Sequence, residues 1–434
     1  MTLSQKIRDK KAVVAVVGLG YVGLPLCLEF SRTGFKVIGV DISQEKIDSL
    51  NQRKSYITDV SNQELEAAFS TGRFSVSSDY SVLQEADTVS ICVPTPLRKT
   101  KEPDISFILS AAKNIRQYLH AGQLIVLEST TYPGTTEEIV LPELKESGLE
   151  VGKGFYLAFS PERIDPGNKS FSLKNTPKVI GGITSNCTEI AVSLYASVVD
   201  RVIPVSSTQA AEMVKLLENT FRAVNIGLVN EIALMADRLK LDVWEIIDAA
   251  ATKPFGFMPF YPGPGLGGHC IPVDPHYLSW KLKSLNYTPK FIELADDINT
   301  KMPQVVVDKI GMALNKHKKA INGSKVLVLG VAYKKDVGDV RESPALDILR
   351  LLHERGADLS YQDDYCTHLT HEGVLYRSVA CDYDSFPEYD CVAIVTHHSY
   401  FDWKKVVEAS KIIVDSRNAT NHLVRAYKDK IIKI

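Results

Sequence analysis

Residues 12–30 have the sequence AVVAVVGLGYVGLPLCLEF, and this stretch decides the fold of the first part of the chain. The apolar, β-branched run at 12–17 predicts a strand, the glycines of 18–23 predict a tight turn, and the apolar spacing through Phe30 predicts a helix. Residues 36–41, KVIGVD, predict a second strand that ends in Asp41. Such a turn lets a diphosphate approach the backbone at a helix N-terminus, and an acidic residue about 20 positions on binds ribose hydroxyls. The stretch therefore predicts a dinucleotide site that takes NAD, since Asp41 would repel a 2′-phosphate. A glycine turn with only a structural role is the alternative.

Composition indicates a multidomain globular protein. The chain has 434 residues, of which 45% are hydrophobic and 24% charged, enough for two or three cores. Its net charge of −2 is spread among interspersed residues of both signs, so we expect no nucleic-acid partner and no membrane partner. The N-terminus lacks the signature of a secretory peptide, and we expect a cytoplasmic protein. Seven cysteines without CxxC pairs indicate reduced thiols, and we predict no disulfide framework and no metal site.

Three further apolar runs in the first part of the chain end in polar or turn residues, at 86–96, 123–136 and 155–163. Ligands of open parallel sheets lie outside the carboxyl ends of the strands. Thr95, Thr130 and Glu162 are therefore candidates for a cleft. Each has the alternative of being a turn residue or a helix cap.

The middle of the chain predicts a long amphipathic helix from 208 to about 236. Lys215, Asn219 and Arg222 fall on one face of it, where a solvated polar stripe is the alternative explanation. The glycine-rich stretch GPGLGGHCIPVDP follows at 263–275 and contains Cys270. That thiol could fill space, bind a metal or act as a nucleophile. Long central helices also commonly form dimer interfaces, and we expect a homodimer or a larger homo-oligomer.

The last third of the chain repeats the strand, turn and helix pattern at 324–364 but lacks the GxGxxG motif. Lys334, Arg341 and Arg417 each follow a predicted strand and could hold phosphate oxygens, although each alone could be a surface cation. We therefore predict an α/β chain with two Rossmann-like doubly wound domains joined by a central long-helix region. The predicted domains are an NAD-binding domain at 1–205, a helical domain with the cysteine loop at 206–315, and a second Rossmann-like domain at 316–434.

Eight motifs in this order resemble the UDP-glucose/GDP-mannose dehydrogenase family of nucleotide-sugar 6-dehydrogenases over essentially the whole chain. They are GLGYVGLPLC, VPTP, STTYPGTT, SPERIDPGN, KLLENTFRAVNI, GPGLGGHCIPVDP, YKKDVGDVRESP and DSRN. The resemblance implies that the first domain binds NAD and that the last binds a UDP-sugar. It also implies that Cys270 is the catalytic nucleophile.

The resemblance further assigns site residues position by position. The catalytic set is Cys270, Lys215, Asn219, Glu162, Asp274 and Thr130. The set for NAD is Gly18, Gly20, Tyr21, Val22, Gly23, Asp41, Lys46, Thr95, Thr130 and Arg341. The set for the UDP-sugar is Glu162, Arg163, Lys215, Asn219, Tyr261, Gly265, Gly267, Lys334 and Arg417. Whether Glu162 or Asp274 activates water is left open.

The implied reaction oxidises the C6 hydroxyl of a nucleotide sugar to a carboxylate. It removes four electrons and so uses two NAD in turn, through a thiohemiacetal and then a thioester on Cys270. His269 before the cysteine, and Val273 where UDP-glucose members carry lysine, are more similar to members acting on UDP-N-acetylhexosamines. We expect UDP-N-acetyl-D-glucosamine as substrate and bacterial surface polysaccharide, capsule or O-antigen, as destination. UDP-N-acetylgalactosamine, UDP-N-acetylmannosamine and UDP-glucose are alternatives, and a non-catalytic sensor of NAD and nucleotide sugar is a remote one.

Overall fold

The computed structural model describes residues 1–57, 60–98, 102–164, 170–268 and 270–434. The described chain forms two compact units. Unit 1 comprises Met1–Glu218 and His276–Asn286, and unit 2 comprises Asn219–Pro275 and Tyr287–Ile434. The predicted three-part division at 205 and 315 stays a prediction.

Unit 1 contains a sheet whose strands are covered by helices, as the βαβ pattern predicts. The strands are β1 (Val13–Val17), β2 (Lys36–Val40), β3 (Phe74–Ser77), β4 (Thr88–Ile91), β5 (Leu124–Leu127), β6 (Tyr156–Phe159), β7 (Lys178–Gly182) and β8 (Val202–Pro204). The helices are α1 (Leu3–Arg8), α2 (Gly23–Arg32), α3 (Gln44–Asn51), α4 (Asn62–Ser70), α5 (Ser106–Tyr118), α6 (Leu141–Lys145) and α7 (Ser185–Tyr195), with a 3-10 turn at Tyr80–Glu85 and a π-helical turn at Thr136–Val140.

The sheet of unit 1 has the order β3-β2-β1-β4-β5-β6-β7-β8, which begins with the arrangement of a dinucleotide-binding fold. Each pair is parallel except β6 with β7. Along β1, Val14 and Val16 enter the core on one face of the sheet, while Ala15 and Val17 enter the core on the other. This alternation buries both faces, as a doubly wound sheet requires.

Two helices contribute residues to both units. α8 spans Thr208–Leu239 and α10 spans Asp274–Lys283. The range of α8 confirms the long helix predicted from residue 208 onward. Unit 2 also contains α9 (Val243–Ala251) and α11 (Lys290–Lys316).

The rest of unit 2 is a second Rossmann-like layer. Its parallel sheet has the order β10-β9-β13-β14-β15. The strands are β9 (Lys325–Leu329), β10 (Asp358–Gln362), β11 (His368–His371), β12 (Val374–Arg377), β13 (Cys391–Ile394), β14 (Ile413–Asp415) and β15 (Ile431–Lys433). The helices are α12 (Pro344–Glu354) and α13 (Trp403–Ala409), with 3-10 turns at Tyr383–Glu388 and Asn421–Leu423. β11 and β12 form a separate antiparallel hairpin that the sequence patterns did not predict. The predicted fold class, two Rossmann-like domains with a central helical region, is confirmed.

Candidate active site

The glycine turn of unit 1 is crowded at two positions and open at a third. Gly18 has φ +95°, and a Cβ there would lie 2.5 Å from the carbonyl oxygen of Cys92. A Cβ at Gly23, the first residue of α2, would lie only 1.8 Å from the carbonyl oxygen of Gly18. A Cβ at Gly20 would have no neighbour within 4 Å. Val22 is the N-cap residue of α2, and no side chain caps this helix terminus. The backbone N–H groups of the first turn of α2 and the space at Gly20 therefore suit a diphosphate.

Asp41 follows β2 and is almost fully buried. Its Oδ2 accepts hydrogen bonds from the backbone N–H of Leu19 at 2.8 Å and from Nζ of Lys46 at 2.9 Å. Its Oδ1 accepts one from the backbone N–H of Ser43 at 2.9 Å. That oxygen keeps a second lone pair for a ribose hydroxyl, whereas a 2′-phosphate would meet a buried carboxylate.

Thr95 and Thr130 follow β4 and β5, which are neighbours in the sheet. The Thr95 carbonyl accepts a hydrogen bond from the Tyr277 hydroxyl. Thr130 is half-buried, and Oγ of the preceding Ser129 donates to the Val93 carbonyl at 2.8 Å. Both predicted residues therefore lie at the carboxyl edge of the sheet of unit 1.

Glu162 lies just beyond β6, and its carboxylate interacts with two backbone N–H groups and with a lysine ammonium group. Its Oε1 accepts hydrogen bonds from the N–H groups of Arg163 at 2.8 Å and Ile164 at 2.7 Å. Its Oε2 lies 3.5 Å from Nζ of Lys178. Burial raises the pKa of Glu162, but Lys178, the two N–H donors and Lys215 outweigh it, so the pKa lies below its ordinary value. The carboxylate is ionised at neutral pH, which is the state that a proton acceptor requires.

Arg163 is engaged inside unit 1. Its Nη2 lies 2.6 Å from Oε1 of Glu218, and its Nη1 donates to the carbonyl of Pro177 at 2.6 Å. These bonds fix the segment after β6. Residues 165–169, which include the last four residues of the SPERIDPGN motif, lie outside the described residues.

In unit 2 the glycine-rich loop is packed too closely to accept side chains. A Cβ at Gly267 would lie 2.6 Å from Cβ of Tyr333, and one at Gly268, whose φ is +92°, would lie 2.8 Å from the Tyr333 ring. A Cβ at Gly263 would lie 2.7 Å from Nη1 of Arg417, and one at Gly265, whose φ is +132°, 3.2 Å from the carbonyl of Asn299. The glycines therefore allow close backbone approach.

Buried amides anchor the beginning of this loop. Oδ1 of Asn230 accepts from the Gly263 N–H at 2.9 Å, and its Nδ2 donates to Oδ1 of Asn299 at 2.8 Å. Asn299 in turn donates to the Ala223 carbonyl at 3.1 Å. Since α8 carries Asn230 and α11 carries Asn299, the loop is tied to two helices of unit 2.

Cys270 is half-buried at the end of the loop, and its carbonyl accepts from the Asp274 N–H at 2.8 Å, where α10 begins. All seven cysteines, each within the described part of the chain, are thiols. Asp274 is buried, and its Oδ2 accepts a hydrogen bond from Nδ2 of Asn219 at 2.5 Å. The structure thus brings Asn219 and Asp274 together. His269 lies outside the described residues.

At the carboxyl edge of the second sheet, two cationic side chains and a histidine follow three adjacent strands. Lys334 follows β9, His397 follows β13 and Arg417 follows β14, and these strands are adjacent in the order β9-β13-β14. Nε of Arg417 donates to the Val395 carbonyl at 2.9 Å, and burial lowers the pKa of Arg417 to about 10. Burial, then the charges of Arg417 and Lys335, lower the pKa of His397 to about 4. This edge suits an anion such as a diphosphate.

Two further predicted residues have partners inside unit 2. Arg341 is exposed and pairs with Asp339, its Nη2 lying 2.6 Å from Oδ2. Tyr261 stacks on Trp244 with ring centroids 5.7 Å apart, and its hydroxyl donates to Asp248 at 2.8 Å.

Three domains of one protein family match the chain in sequence. Residues 12–199 match the NAD binding domain of the UDP-glucose/GDP-mannose dehydrogenase family, 209–301 its central domain, and 327–422 its UDP binding domain. The chain belongs to this family. It is therefore a UDP-sugar dehydrogenase with NAD as its cofactor, and the open N-terminus of α2 with Asp41 in the described structure fits that cofactor.

The dehydrogenases that are similar to this chain are named for two different sugar substrates. The chain is 36% identical over 396 residues to a UDP-N-acetyl-D-glucosamine 6-dehydrogenase of Pseudomonas aeruginosa, covering 90% of this chain and 92% of the relative. It is 35% identical over 435 residues to a UDP-N-acetyl-D-mannosamine dehydrogenase of Methanococcus aeolicus, covering 97% and 94%. A solved UDP-D-ManNAc dehydrogenase of Pyrococcus horikoshii superposes with a TM-score of 0.86 at 33% identity, covering 94% and 96%.

Among the residues that the structure describes, no helix has the length and apolar character needed to span a bilayer. Within the same residues, no group of three or more His, Cys, Asp or Glu side chains is arranged to hold a metal ion.

Sequence reasoning missed Lys178, Glu128 and Tyr195, which lie behind Glu162 in the dehydrogenase. A lysine at the start of an apolar strand is usually exposed, and Lys178 gives no sequence signal to the contrary. Only the antiparallel pairing of β7 with β6 reveals that it faces Glu162.

Proposed function

We propose that this dehydrogenase oxidises the C6 hydroxyl of a UDP-N-acetylhexosamine to the uronic acid, with UDP-N-acetyl-D-glucosamine as the preferred substrate. The close-packed glycine loop that presents Cys270 at the start of α10 carries the proposal. A simple alcohol dehydrogenase has no need of a thiol there, whereas a four-electron oxidation needs a nucleophile that retains the aldehyde. The product would serve the synthesis of surface polysaccharide.

In this proposal the thiolate of Cys270 adds to the C6 aldehyde, forming a C–S bond and an oxyanion. Lys215 and Asn219 donate hydrogen bonds to that oxygen and stabilise its charge. NAD, which the open N-terminus of α2 and Asp41 would hold, would supply the hydride acceptor for each of the two oxidations. After the second oxidation C6 is a thioester, and water displaces the Cys270 thiolate to leave the carboxylate.

We assign activation of that water to Glu162 rather than Asp274. Glu162 is kept ionised by Lys178 and two backbone N–H groups, so it can take a proton. Asp274 directs Oδ2 to the Asn219 amide, and we propose that it orients Asn219.

The preference for an N-acetylhexosamine over UDP-glucose rests on Val273 and His269, which resemble the corresponding positions of family members acting on N-acetylhexosamines. The relative named for UDP-N-acetyl-D-glucosamine supports that sugar as the first candidate. The relatives named for UDP-N-acetylmannosamine support that sugar as the second candidate. Both sugars carry an N-acetyl group at C2, and the two differ there only in configuration.

The test supplies purified protein with NAD and, separately, UDP-N-acetylglucosamine, UDP-N-acetylmannosamine, UDP-N-acetylgalactosamine and UDP-glucose. NADH and product mass are recorded together. We expect two NADH per uronic acid, and the highest kcat/KM with UDP-N-acetylglucosamine. One NADH with a released aldehyde would contradict the covalent route. NAD binding with no turnover of any sugar would instead indicate a sensor.

A further inference from the structure

A buried charge network lies behind Glu162 in unit 1. Nζ of Lys178 lies 2.6 Å from Oε2 of Glu128 and 3.5 Å from Oε2 of Glu162. The Tyr195 hydroxyl donates to Oε1 of Glu128 and lies 3.0 Å from Oγ of Ser90. Glu128, Lys178 and Tyr195 are all buried. One buried ammonium group therefore bridges the buried Glu128 carboxylate and the half-buried Glu162 carboxylate.

The sheet topology explains this placement. Glu128 follows β5, and its N–H donates to the Ile91 carbonyl of β4 at 2.9 Å, so it lies at the carboxyl edge of the central strands. β7 runs antiparallel to β6 with Ala158 opposite Gly182, and extending that register sets Lys178 opposite Glu162. Because β7 runs opposite to β6, its first residue lies at the edge where β6 ends and Glu162 follows.

Stability alone is a poor reason for such a network. Removing two charges from water costs free energy that their attraction repays only with good geometry, and apolar replacements of buried pairs are often neutral or stabilising. The bridge to Glu162 supplies another reason. Burial lowers the pKa of Lys178, but Glu128 and Glu162 outweigh it and the pKa is raised, so Lys178 stays charged.

We propose that Lys178 is a positioning residue: anchored by Glu128, its ammonium group holds the Glu162 carboxylate ionised and oriented to take a proton from the water that attacks the Cys270 thioester. This inference rests on the proposed function. In this role Lys178 acts through Glu162.

The groups around Glu162 determine the expected pH dependence. β7 presents Lys178 to it and α8 presents Lys215, both positive. Glu128 after β5 and the thiol of Cys92 after β4 lie behind them. Burial, then Glu128, raises the pKa of Cys92 well above its ordinary value, so this thiol is neutral. Removing the charge of Lys178 therefore raises the pKa of Glu162, and hydrolysis requires a higher pH.

The first test uses the double variant Glu128→Gln/Lys178→Met, which leaves no buried carboxylate without a counter-charge. Acid quench and mass spectrometry measure the thioester on Cys270 during a single turnover with NAD and UDP-N-acetylglucosamine. The experiment is repeated over a range of pH values to give the rate of thioester hydrolysis at each. We expect the acidic limb of the hydrolysis rate to move up by about one pH unit or more. At a pH on this limb the hydrolysis rate should fall about 10-fold or more, whereas at neutral pH, where Glu162 stays ionised, it should change little. Lys178→Arg should keep the limb within about half a pH unit of wild type.

For a second variant we expect the acidic limb of the hydrolysis rate to shift in the opposite direction. Glu128→Gln alone removes a negative charge and leaves Lys178 facing Glu162, so the limb should move to lower pH. The matched control is Glu150→Gln/Lys153→Met, which removes an exposed ion pair of the same unit and should leave the limb in place. NAD affinity and the unfolding midpoint report folding of every variant.

These outcomes distinguish failure of the proposed function from failure of the role proposed for Lys178. Wild type that forms no uronic acid refutes the proposed function. If wild type forms it and Glu162→Gln accumulates thioester, a limb that stays in place in both network variants overturns only the role of Lys178. Glu128→Gln is nearly isosteric with wild type. The position of the acidic limb in this variant therefore tests the role of Lys178 even if the double variant does not fold.

Discussion

Asn219 donates a hydrogen bond from Nδ2 to Oδ2 of Asp274 across 2.5 Å, and both side chains are buried. The bond joins a residue of α8 to the first residue of α10, just after Cys270 in the chain. A buried amide that loses its acceptor keeps the cost of desolvation, whereas an amide in place of the acid preserves an acceptor oxygen.

We predict that Asp274→Ala lowers the free energy of unfolding by about 1–3 kcal/mol, whereas Asp274→Asn lowers it by less than about 1 kcal/mol. Urea unfolding of both variants provides the measurement. The exposed Asp297→Ala, on α11 of the same unit, serves as control and should change stability by less than about 0.5 kcal/mol. Equal losses in the two Asp274 variants would mean that the bond contributes nothing.

We predict that Cys270→Ser halts the reaction after the first oxidation. A serine hydroxyl at neutral pH is a far weaker nucleophile than a thiolate, so uronic acid formation should fall by at least about two orders of magnitude. NADH and uronic acid are measured together with UDP-N-acetylglucosamine. Cys381→Ser, which alters the other half-buried thiol, should match wild type. Undiminished uronic acid from Cys270→Ser would refute the covalent route.

The parts of the fold that the sequence predicts are those whose signals are local. β1, the glycine turn, α2 and the acidic end of β2 follow one another within 12–41, and α8 shows its helical period over its own length. The order of these elements in a parallel sheet then follows from general rules of chain connection.

The parts that escaped prediction depend on contacts between distant residues. Lys178 faces Glu162 only because β7 reverses direction, and Asn219 meets Asp274 only because α10 begins where the cysteine loop ends. Neither partner can be inferred from spacing along the chain. The hairpin of β11 and β12 was missed because short strands with alternating exposure carry a weak pattern.

Two glycines of the same turn should respond differently to alanine. A Cβ at Gly23 would lie 1.8 Å from a backbone oxygen, so we predict that Gly23→Ala lowers the free energy of unfolding by about 1–3 kcal/mol even without NAD. A Cβ at Gly20 has no neighbour within 4 Å, so Gly20→Ala should change stability by less than about 0.5 kcal/mol. Its methyl group would occupy the space beside α2, and we expect NAD affinity to fall about 10-fold.

Denaturant unfolding of the protein without NAD, combined with calorimetric titration of NAD, separates these effects. Stability loss confined to Gly23→Ala, with weaker NAD binding in Gly20→Ala, is the expected pattern. Unchanged NAD affinity in Gly20→Ala would show that the cofactor does not use the space beside this residue.

We expect Glu212 to make the stability of the protein depend on pH. It is buried on α8, where its carboxyl group accepts hydrogen bonds from the N–H groups of Gly134 at 2.6 Å and Thr136 at 2.9 Å. Burial raises the pKa of Glu212 to about 7 against an ordinary value of 4.5, although the hydrogen bonds oppose this. Between these two values the folded chain holds a proton that the unfolded chain has lost, so stability must fall as pH rises through that window.

We therefore predict that wild type loses stability relative to Glu212→Gln as pH rises from 4.5 to 7, by at most about 1.4 kcal/mol per pH unit. Above pH 7 the difference should stay constant, because Glu212 is then ionised in both states. Urea unfolding at pH 5, 6, 7 and 8 provides the measurement, and the exposed Glu189→Gln should follow wild type throughout. A difference that grows in the opposite direction would mean that Glu212 is stabilised as a carboxylate by its N–H donors, and burial would then be the weaker influence.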